Sequence, residues 1–455
     1  MTNAPEGAVT LDELRRLIDQ GEVDTVVLAV TDMQGRLQGK RCHGPYFLDQ
    51  VVPRAAEACN YLLAVDVDMR TAPGYEMTSW DQGYGDFVMR PDLSTLRLLP
   101  WHRGSALCLA DLEWADGSAV TPSPRQILRR QVDRLAERGW KGMAGTELEF
   151  IVFRDTYEEA WAKAYRGLTP VNPYNVDYSL LGTARIEPLL RRIRNEMAGA
   201  GLRPESAKGE CHPGQHEIAF RYGDLLSTAD GHSIYKTGAK EIAAQEGMSL
   251  TFIAKFDEAE GNSCHLHLSL RDTEDHPVFS TGDDGPSGTF ASFLAGLLAT
   301  LPELTLLCAP NVNSYKRYRD GSFAPTTVSW GTDNRTCSFR VVGHAESLRV
   351  ENRVPGGDVN PYLALAAMVA GGLHGIDEGM ELEPELVGNA YEANDLTPIP
   401  STLTEAASLF EDSAVARAAF GDEVVDHYVN MARVELRAFE AAVTDWERFR
   451  GFERL

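Results

Sequence analysis

Glutamate residues recur at a two-residue spacing inside a short apolar run of this sequence. Glu147 and Glu149 alternate with Leu148 and Phe150, and in a β-strand residues i and i+2 share one face. The two carboxylates would therefore lie side by side and repel each other unless a cation lies between them. A solvent-facing strand edge is the simpler alternative for this pair taken alone.

A second acidic pair brackets a predicted turn. Pro213 and Gly214 suit the two central positions of a type II turn, so Glu210 is expected opposite Glu217 in a hairpin. Like charges directly opposite each other destabilise a sheet, and a divalent cation with oxygen ligands would remove the repulsion. The hairpin register, and with it this pairing, is a hypothesis.

Two further segments place imidazole and guanidinium groups on single strand faces. His265 and His267 alternate with leucines, and Ser269 continues their face. That pattern suits a metal or phosphate site, although a buried histidine pair without a ligand fits equally well. In residues 349–353 the two arginines flank Glu351 on one face, either as a salt-bridge ladder or as a metal-binding glutamate between phosphate-binding guanidinium groups.

More cations lie close to these segments in the sequence. They are Lys316, Arg317, Arg319, Arg335 and Arg340. Neither a GxxxxGK[ST] loop nor a GxGxxG turn after a strand occurs. If the protein uses ATP, metal ions and arginines must hold the phosphates.

The elements that would position these residues mix strands and helices without a regular βαβ alternation. Strands are expected at 145–153, 217–222, 249–256, 265–271 and 338–342, and helices at 186–200, 229–245, 289–300, 361–371 and through most of 417–449. Ser123 and Pro124 predict a helix start after a break in the pattern. The expected fold class is α+β, with domains at residues 1–118 and 119–455.

Composition narrows the class of protein. The 455 residues include 43 Lys and Arg against 67 Asp and Glu, a net charge of −24, which disfavours binding to nucleic acid or to an anionic membrane. Seven cysteines without a CxxC pair predict no disulfide framework. With no signal-peptide pattern and an apolar stretch at 362–373 too short for a bilayer, we expect a cytoplasmic protein.

Taken together and in order, the motifs resemble those of the glutamine synthetase family along nearly the whole chain. They are ExE, E-x6-E with PGQ before the second glutamate, HxHxS, NSYKR, NR-x4-R and RxExR. The resemblance implies an N-terminal β-grasp-like domain and a catalytic domain with a curved antiparallel sheet and helices. It also implies that ATP activates the γ-carboxylate of glutamate as γ-glutamyl phosphate, with two Mg²⁺ or Mn²⁺ ions per subunit. The expected assembly is a homo-oligomer, a dodecamer of two stacked hexameric rings.

The resemblance assigns roles position by position. One metal ion would be held by Glu149, Glu210 and Glu217, and the other by Glu147, His265 and Glu351. The nucleotide would lie beside His267, Ser269, Arg340 and Arg349. Glutamate would be bound by Gly261, Arg317, Arg335 and Arg353, and these three arginines would also act in catalysis.

The chain departs from the family where ammonia would bind. The ammonia-using members carry an Asp-Gly-Ser-Ser loop and a glutamate six residues after the NSYKR arginine. Here Phe323 occupies that sixth position, and Asp66 and Asp68 are what remains near the place of the loop. A phenyl ring cannot replace a carboxylate as a partner for desolvated ammonium, but it offers a wall for a larger amine.

This departure is similar to the γ-glutamylamine branch of the family. We therefore expect an ATP-dependent ligase that joins glutamate to a small primary amine, with ethanolamine as the best candidate and Phe323, Asp66 and Asp68 at the amine pocket. A γ-glutamylpolyamine synthetase and an ammonia-using glutamine synthetase are the alternative ligases. A non-enzymatic ring protein is disfavoured, because a scaffold would not require six metal-ligating side chains.

Overall fold

The structure is a computed structural model that describes residues 7–282 and 285–455. Its strands are β1 Thr25–Thr31, β2 Leu37–His43, β3 Ala56–Cys59, β4 Asp86–Pro91, β5 Arg97–Leu98, β6 Ser105–Glu113, β7 Trp140–Phe153, β8 Pro204–Gly209, β9 Gln215–Phe220, β10 Gly223–Asp224, β11 Ser249–Thr251, β12 Cys264–Asp272, β13 Trp330–Thr332, β14 Phe339–Val342 and β15 Arg349–Asn352.

Helix α1 begins with a capping box, in which Thr10 and Glu13 close its first turn. The α-helices of the described residues follow in chain order. They are α1 Leu11–Asp19, α2 Gly44–Tyr46, α3 Val52–Arg54, α4 Pro124–Ala136, α5 Tyr157–Ala162, α6 Leu180–Ala184, α7 Glu187–Gly199, α8 Leu225–Gln245, α9 Gly288–Cys308, α10 Pro361–Asp377, α11 Leu403–Asp412, α12 Ala414–Phe420, α13 Asp422–Ala441 and α14 Asp445–Gly451.

The strands form two sheets that follow each other in sequence. In the described part of the chain, the first sheet has the order β2-β1-β6-β4-β3, with β5 also paired to β6. The second has the order β13-β14-β15-β12-β7-β9-β8, with β10 and β11 also paired to β7. Most neighbours are antiparallel; β1 with β6 and β13 with β14 are parallel. The expected α+β class is confirmed, while the domain boundary at 118/119 stays a prediction.

The core of the second sheet lies between one of its faces and a layer of helices. Leu148 and Phe150 of β7 are fully buried; α4 and α8 pack against β7, and α10 packs against these two helices. Helices α9 and α10 approach closely because glycines meet at their contact: a Cβ on Gly296 would lie 2.3 Å from the carbonyl oxygen of Gly371. Helices thus cover the apolar face of β7, and the opposite face, which carries the charged side chains, is the candidate for a functional site.

A buried arginine joins the two sheets. Arg125, in the first turn of α4, donates to Asp92 and Asp111 beside the first sheet at 2.7 and 2.6 Å. It also donates to both carboxylate oxygens of Asp230 on α8, at 3.0 and 2.9 Å. Three carboxylates around one desolvated guanidinium fix how the first sheet sits on the helices of the second.

Several sequence expectations need correction in their limits. The expected strand at 249–256 ends at Thr251, and the expected helix at 417–449 is broken near Gly421 and again after Ala441. Ser123 stands at the N-cap of α4, but its side chain makes no capping hydrogen bond. All seven cysteines are free. Helix α9 is long and apolar enough to cross a membrane, yet 67% of its most apolar window is buried, as in a core helix.

Candidate active site

The polar face of β7 carries the two glutamates that the alternation predicts. Glu147 pairs with His265 of β12, and Glu149 pairs with Glu217 of β9. Side chains that are paired across neighbouring strands lie on the same face of a sheet. The ExE strand and its two neighbours therefore bring acidic and imidazole groups together on one surface.

The first acidic cluster consists of Glu149, Glu210 and Glu217. One carboxylate oxygen from each lies within 4.8 Å of the others, and all three residues are buried. The Glu149 carboxylate is held in place by Gln215 Nε2 at 3.0 Å and by the backbone N–H of Ser263 at 2.6 Å. Three converging buried carboxylates form a donor set suited to a hard divalent cation.

The predicted turn before Glu217 is present, but the predicted pairing is wrong. The backbone N–H of Gln215 donates to His212 at 2.9 Å across the Pro213-Gly214 turn, and Gly214 has a φ of +77°. Beyond the turn the register is shifted by two residues, so Lys208, and not Glu210, lies opposite Glu217. The reason is that Glu210 already closes the ladder, with its N–H bonded to the Gln215 carbonyl.

The crowding of three carboxylates raises the pKa values of two members of this cluster. Burial, followed by the charge of Glu149, raises the pKa of Glu210 from 4.5 to about 7. Burial, followed by the charges of Glu147 and Glu149, raises the pKa of Glu217 well above its ordinary value. Both shifts have the direction expected when carboxylates share a desolvated site without a cation.

The second cluster lies where β12 and β15 meet β7. His265 Nδ1 is 3.3 Å from Glu147 Oε2 and 3.5 Å from Glu351 Oε1, and His267 Nε2 is 3.0 Å from Glu147 Oε1. Atoms of Glu147, His267 and Glu351 lie mutually within 4.8 Å. Both histidines thus face the same glutamate, although the resemblance separates their roles.

The electrostatics of the second cluster differ from those of the first. Burial by itself would raise the pKa of Glu147, but contacts with His265 and His267 outweigh it and hold the pKa far below its ordinary value. The buried Nε2 of His265 has no hydrogen-bond partner among the described residues. The other ring nitrogen of His265, Nδ1, is the one beside the carboxylates of Glu147 and Glu351, and this combination fits a mixed oxygen and nitrogen metal site.

Three of the predicted arginines converge on Glu351 and His267. Arg340 Nη1 donates to Glu351 Oε2 at 2.8 Å, Arg353 donates to Glu351 Oε1, and Arg349 Nε lies 3.2 Å from His267 Nδ1. Arg335 is exposed, and within the described residues no ion pair joins it to this group. The paired guanidinium groups leave N–H donors available for phosphate oxygens.

A cavity of about 450 Å³ opens beside these arginines. Gly145, Glu147, His267, Ser269 and Arg349 are among its lining residues. Three of the four predicted nucleotide-binding residues, His267, Ser269 and Arg349, line this cavity, and Arg340 does not. The cavity therefore joins the second cluster to open space on the side of β15.

Gly261 connects the predicted glutamate-binding residues to the first cluster. A Cβ on Gly261 would lie 2.8 Å from Arg317 Cγ, so only glycine lets the chain pass this arginine. Arg317 is 3% exposed and donates to the Val354 carbonyl at 2.9 Å. Gln215 Nε2 donates both to the Gly261 carbonyl, at 2.9 Å, and to Glu149.

Among the described residues, no hydrogen bond, ion pair or cavity joins Phe323 to the other predicted amine-pocket residues, Asp66 and Asp68. Phe323 is 58% exposed with a φ of +58°, in a loop that Tyr391 ties down by donating to the Ala324 carbonyl at 3.0 Å. Asp66 instead lines a small cavity with Glu435, whose pKa is raised by burial and then by the charges of Asp66 and Asp68. The two groups therefore have different surroundings in the subunit.

A comparison with known protein families identifies the family of this chain. The family profile described as "Glutamine synthetase, catalytic domain" matches residues 121–450. The chain belongs to the glutamine synthetase family. The resemblance drawn from the motifs is thereby confirmed.

Relatives within the glutamine synthetase family cover nearly the whole chain. The gamma-glutamylethanolamide synthetase GlnA4 of Streptomyces coelicolor is 65% identical over 445 residues, which are 98% of this chain and 96% of that protein. A glutamate–isopropylamine ligase of a Pseudomonas species is 37% identical and covers 96% of each chain. Among solved structures, the GmaS/ADP complex has a TM-score of 0.85 at 26% identity, covering 97% of this chain and 99% of that one.

Sequence reasoning missed the groups that orient the glutamine synthetase ligand set. Gln215 and Ser263 fix Glu149, and Lys208 contacts Glu210 while its Nζ lies 4.7 Å from the Tyr178 ring centre. Two sequence signals could have found these residues: the PGQ motif contains Gln215, and the two-residue spacing of Lys208 and Glu210 puts both on one face of an extended segment. Nothing in the sequence pattern pointed at Tyr178.

Proposed function

We propose that this chain joins the γ-carboxylate of glutamate to ethanolamine, with cleavage of ATP to ADP and phosphate driving the ligation. The observation that carries the proposal is the pairing of two complete acidic clusters with a loop in which Phe323 replaces the ammonia-binding glutamate. The family supplies the ligase chemistry, and the 65% identity with a γ-glutamylethanolamide synthetase supports the choice of amine.

Two divalent ions, Mg²⁺ or Mn²⁺, fit the two clusters. Glu149, Glu210 and Glu217 would hold the first, and Glu147, His265 and Glu351 the second. The raised pKa values of Glu210 and Glu217, and the position of His265 Nδ1 beside both Glu147 and Glu351, support this assignment. When bound, such ions neutralise charge that develops on phosphoryl oxygens.

The protein side chains divide the remaining work between phosphate and glutamate. Arg349 lines the cavity of His267 and Ser269, and Arg340 and Arg353 contact Glu351 of the second cluster; these three guanidinium groups would clamp the ATP phosphates. Arg317, packed on Gly261, would bind the α-carboxylate of glutamate. Arg335 would act in catalysis together with Arg317 and Arg353, since its exposed position next to β14 leaves it free to contact the reacting phosphate.

Attack then proceeds in two steps. The γ-carboxylate attacks the terminal phosphorus of ATP, ADP leaves, and γ-glutamyl phosphate remains. The neutral amine next attacks its carbonyl carbon, phosphate leaves, and the amine gives up a proton. The residues contribute by holding glutamate and phosphate in reacting geometry and by excluding water, which would otherwise hydrolyse the acyl phosphate.

Assembly would complete the amine pocket. Because Asp66 and Asp68 share no contact or cavity with Phe323 in the described residues, we propose that the neighbouring subunit of a hexameric ring brings its own aspartates to this loop. Two such rings would stack into a dodecamer. The proposal also includes a domain boundary at 118/119 and a cytoplasmic location.

A panel of amines tests the function directly. Purified enzyme with glutamate, ATP and Mg²⁺ receives ethanolamine, isopropylamine, putrescine, spermine or ammonium, and ADP release is measured together with the mass of the γ-glutamyl product. We expect γ-glutamylethanolamide with the highest kcat/KM. A preference for spermine would favour the polyamine alternative, a preference for ammonium would favour glutamine synthesis, and no amine-dependent ADP release would remove the ligase proposal.

A further inference from the structure

Lys208 stands at the rim of the first acidic cluster and has no role in the ligand sets described above. It lies on β8 directly opposite Glu217 and contacts the Glu210 carboxylate. Its Nζ is also 3.7 Å from Asp177 Oδ1 and 4.7 Å from the centre of the Tyr178 ring. Two carboxylates and an aromatic face therefore already surround one protein ammonium group.

The loop that carries Tyr178 is held in an unfavourable backbone conformation. Tyr178 has a φ of +53°, a region that costs a bulky side chain about 1 kcal/mol or more. Its side chain is 73% exposed, so burial of the ring does not explain this conformation. The conformation instead places the aromatic face against Lys208, which also contacts Glu210 of the first cluster.

Lys208 lies on the side of the site away from the phosphates. The strand order places Arg349 on β15 and Lys208 on β8 four strands apart, which is about 19 Å at the usual strand spacing. Gly261, which is predicted to bind the substrate glutamate, is linked to Glu149 of the first cluster through Gln215. Within the proposed ligase function, an amine that attacks the carbonyl carbon of γ-glutamyl phosphate from the side opposite the phosphates would approach over the first cluster, where Lys208 lies.

We propose that Lys208 is a specificity-determining residue that rejects amines carrying a second positive charge and accepts amines carrying a neutral hydroxyl group. This inference rests on the proposed ligase function. A diamine attacks through one neutral nitrogen and keeps an ammonium group at its other end. That group meets the Lys208 ammonium, whose partners Glu210 and Asp177 are already engaged, whereas a hydroxyl oxygen accepts a hydrogen bond from Lys208.

A matched pair of substrates isolates this effect. 3-Aminopropan-1-ol and 1,3-diaminopropane have the same number of non-hydrogen atoms and differ in one terminal group. The ratio of their kcat/KM values is measured for the unmodified enzyme, Lys208→Met, Lys208→Arg and Lys163→Met. Lys163, whose side chain is 46% exposed, pairs with Asp155 outside the two clusters, so its variant matches the change in net charge.

We expect the unmodified enzyme and Lys163→Met to prefer the amino alcohol, and Lys208→Met to shift the ratio toward the diamine by about tenfold or more, as for removal of a close like charge. Lys208→Arg should keep the original ratio, because it keeps the charge. The basicities of the two amines cancel, since every enzyme is tested with the same pair.

Two outcomes overturn the inference. An unchanged ratio in Lys208→Met shows that Lys208 does not read the amine, and an equal loss with both substrates shows that it only supports Glu210. Either result leaves the proposed function intact if the unmodified enzyme forms γ-glutamylethanolamide. Absence of any γ-glutamylamide product from the unmodified enzyme would instead refute the proposed function itself.

Discussion

Glu149 and Glu217 face each other directly across the antiparallel strands β7 and β9, and each side chain is 8% exposed. Two carboxylates in this position repel each other in a medium that screens charge poorly. Glu210 adds a third carboxylate to the same space. The fold therefore holds an arrangement that is unfavourable without a cation, and this has measurable consequences.

The first prediction concerns the stability of the metal-free enzyme. Because the pKa of Glu210 is raised from 4.5 to about 7, the folded state binds this proton more tightly than the unfolded state. The resulting stabilisation is complete below pH 4.5 and is lost as the pH rises through 7, by on the order of 3 kcal/mol.

Thermal unfolding in EDTA at pH 5 and pH 8 tests this prediction against Glu210→Gln. The variant should lose stability less steeply with pH than the unmodified enzyme, and comparing the two cancels the contribution of all other carboxylates. Mg²⁺ in large excess over its Kd should raise the Tm of the unmodified enzyme, corresponding to about 3 kcal/mol at 100 times Kd. Equal pH dependence in both proteins would contradict the raised pKa.

The second prediction is that Glu149→Gln removes activity and leaves the fold intact. The amide has the size of the carboxylate but lacks its charge, so the ligand set loses neutralising power worth several kcal/mol, and kcat/KM should fall by at least about 100-fold. Circular dichroism and Mg²⁺ titration accompany the assay. Glu137→Gln, an exposed carboxylate after α4, serves as the control. Near-normal turnover in Glu149→Gln would remove this residue from the metal site.

The third prediction assigns Arg317 to glutamate. Arg317→Ala should raise the KM for glutamate by an amount equivalent to about 2–5 kcal/mol, because one partner of a desolvated ion pair is missing. The KM for ATP should change little. Since Arg317 also donates to the Val354 carbonyl, the Tm of the variant is measured to separate binding from folding. An unchanged glutamate KM would show that another group binds the α-carboxylate.

The fourth prediction concerns the loop at Phe323. Phe323→Glu should restore a negative charge and raise kcat/KM for ammonium relative to ethanolamine, by about tenfold if the new carboxylate contributes about 1.4 kcal/mol. Phe323→Ala is the matched control, since it removes the apolar wall without adding charge. If both variants shift selectivity equally, the ring and not the missing charge decides the amine.

Much of this surface could be predicted because strand alternation is a local property. The side chains of β7 alternate between two faces with a period of two, so Glu147 and Glu149 had to share a face once Leu148 and Phe150 were buried. The turn at Pro213 and Gly214 followed from the φ that glycine tolerates. Six short motifs in one order then identified the family and the class of reaction.

Register and distance could not be predicted in this way. The pairing of Lys208 with Glu217 depends on how many residues the turn absorbs, and a shift of two residues leaves every side chain on its original face. The contact of both histidines with Glu147 depends on rotamers set by neighbouring strands.

The sequence by itself thus determined which residue types face the site and which family they belong to, because alternation and turn chemistry act over a few residues. Only the tertiary structure decided which of these residues meet. It placed the Tyr178 ring against Lys208 and gave Asp66 and Phe323 different surroundings, because such relationships involve segments far apart in the chain and depend on the packing of the whole sheet.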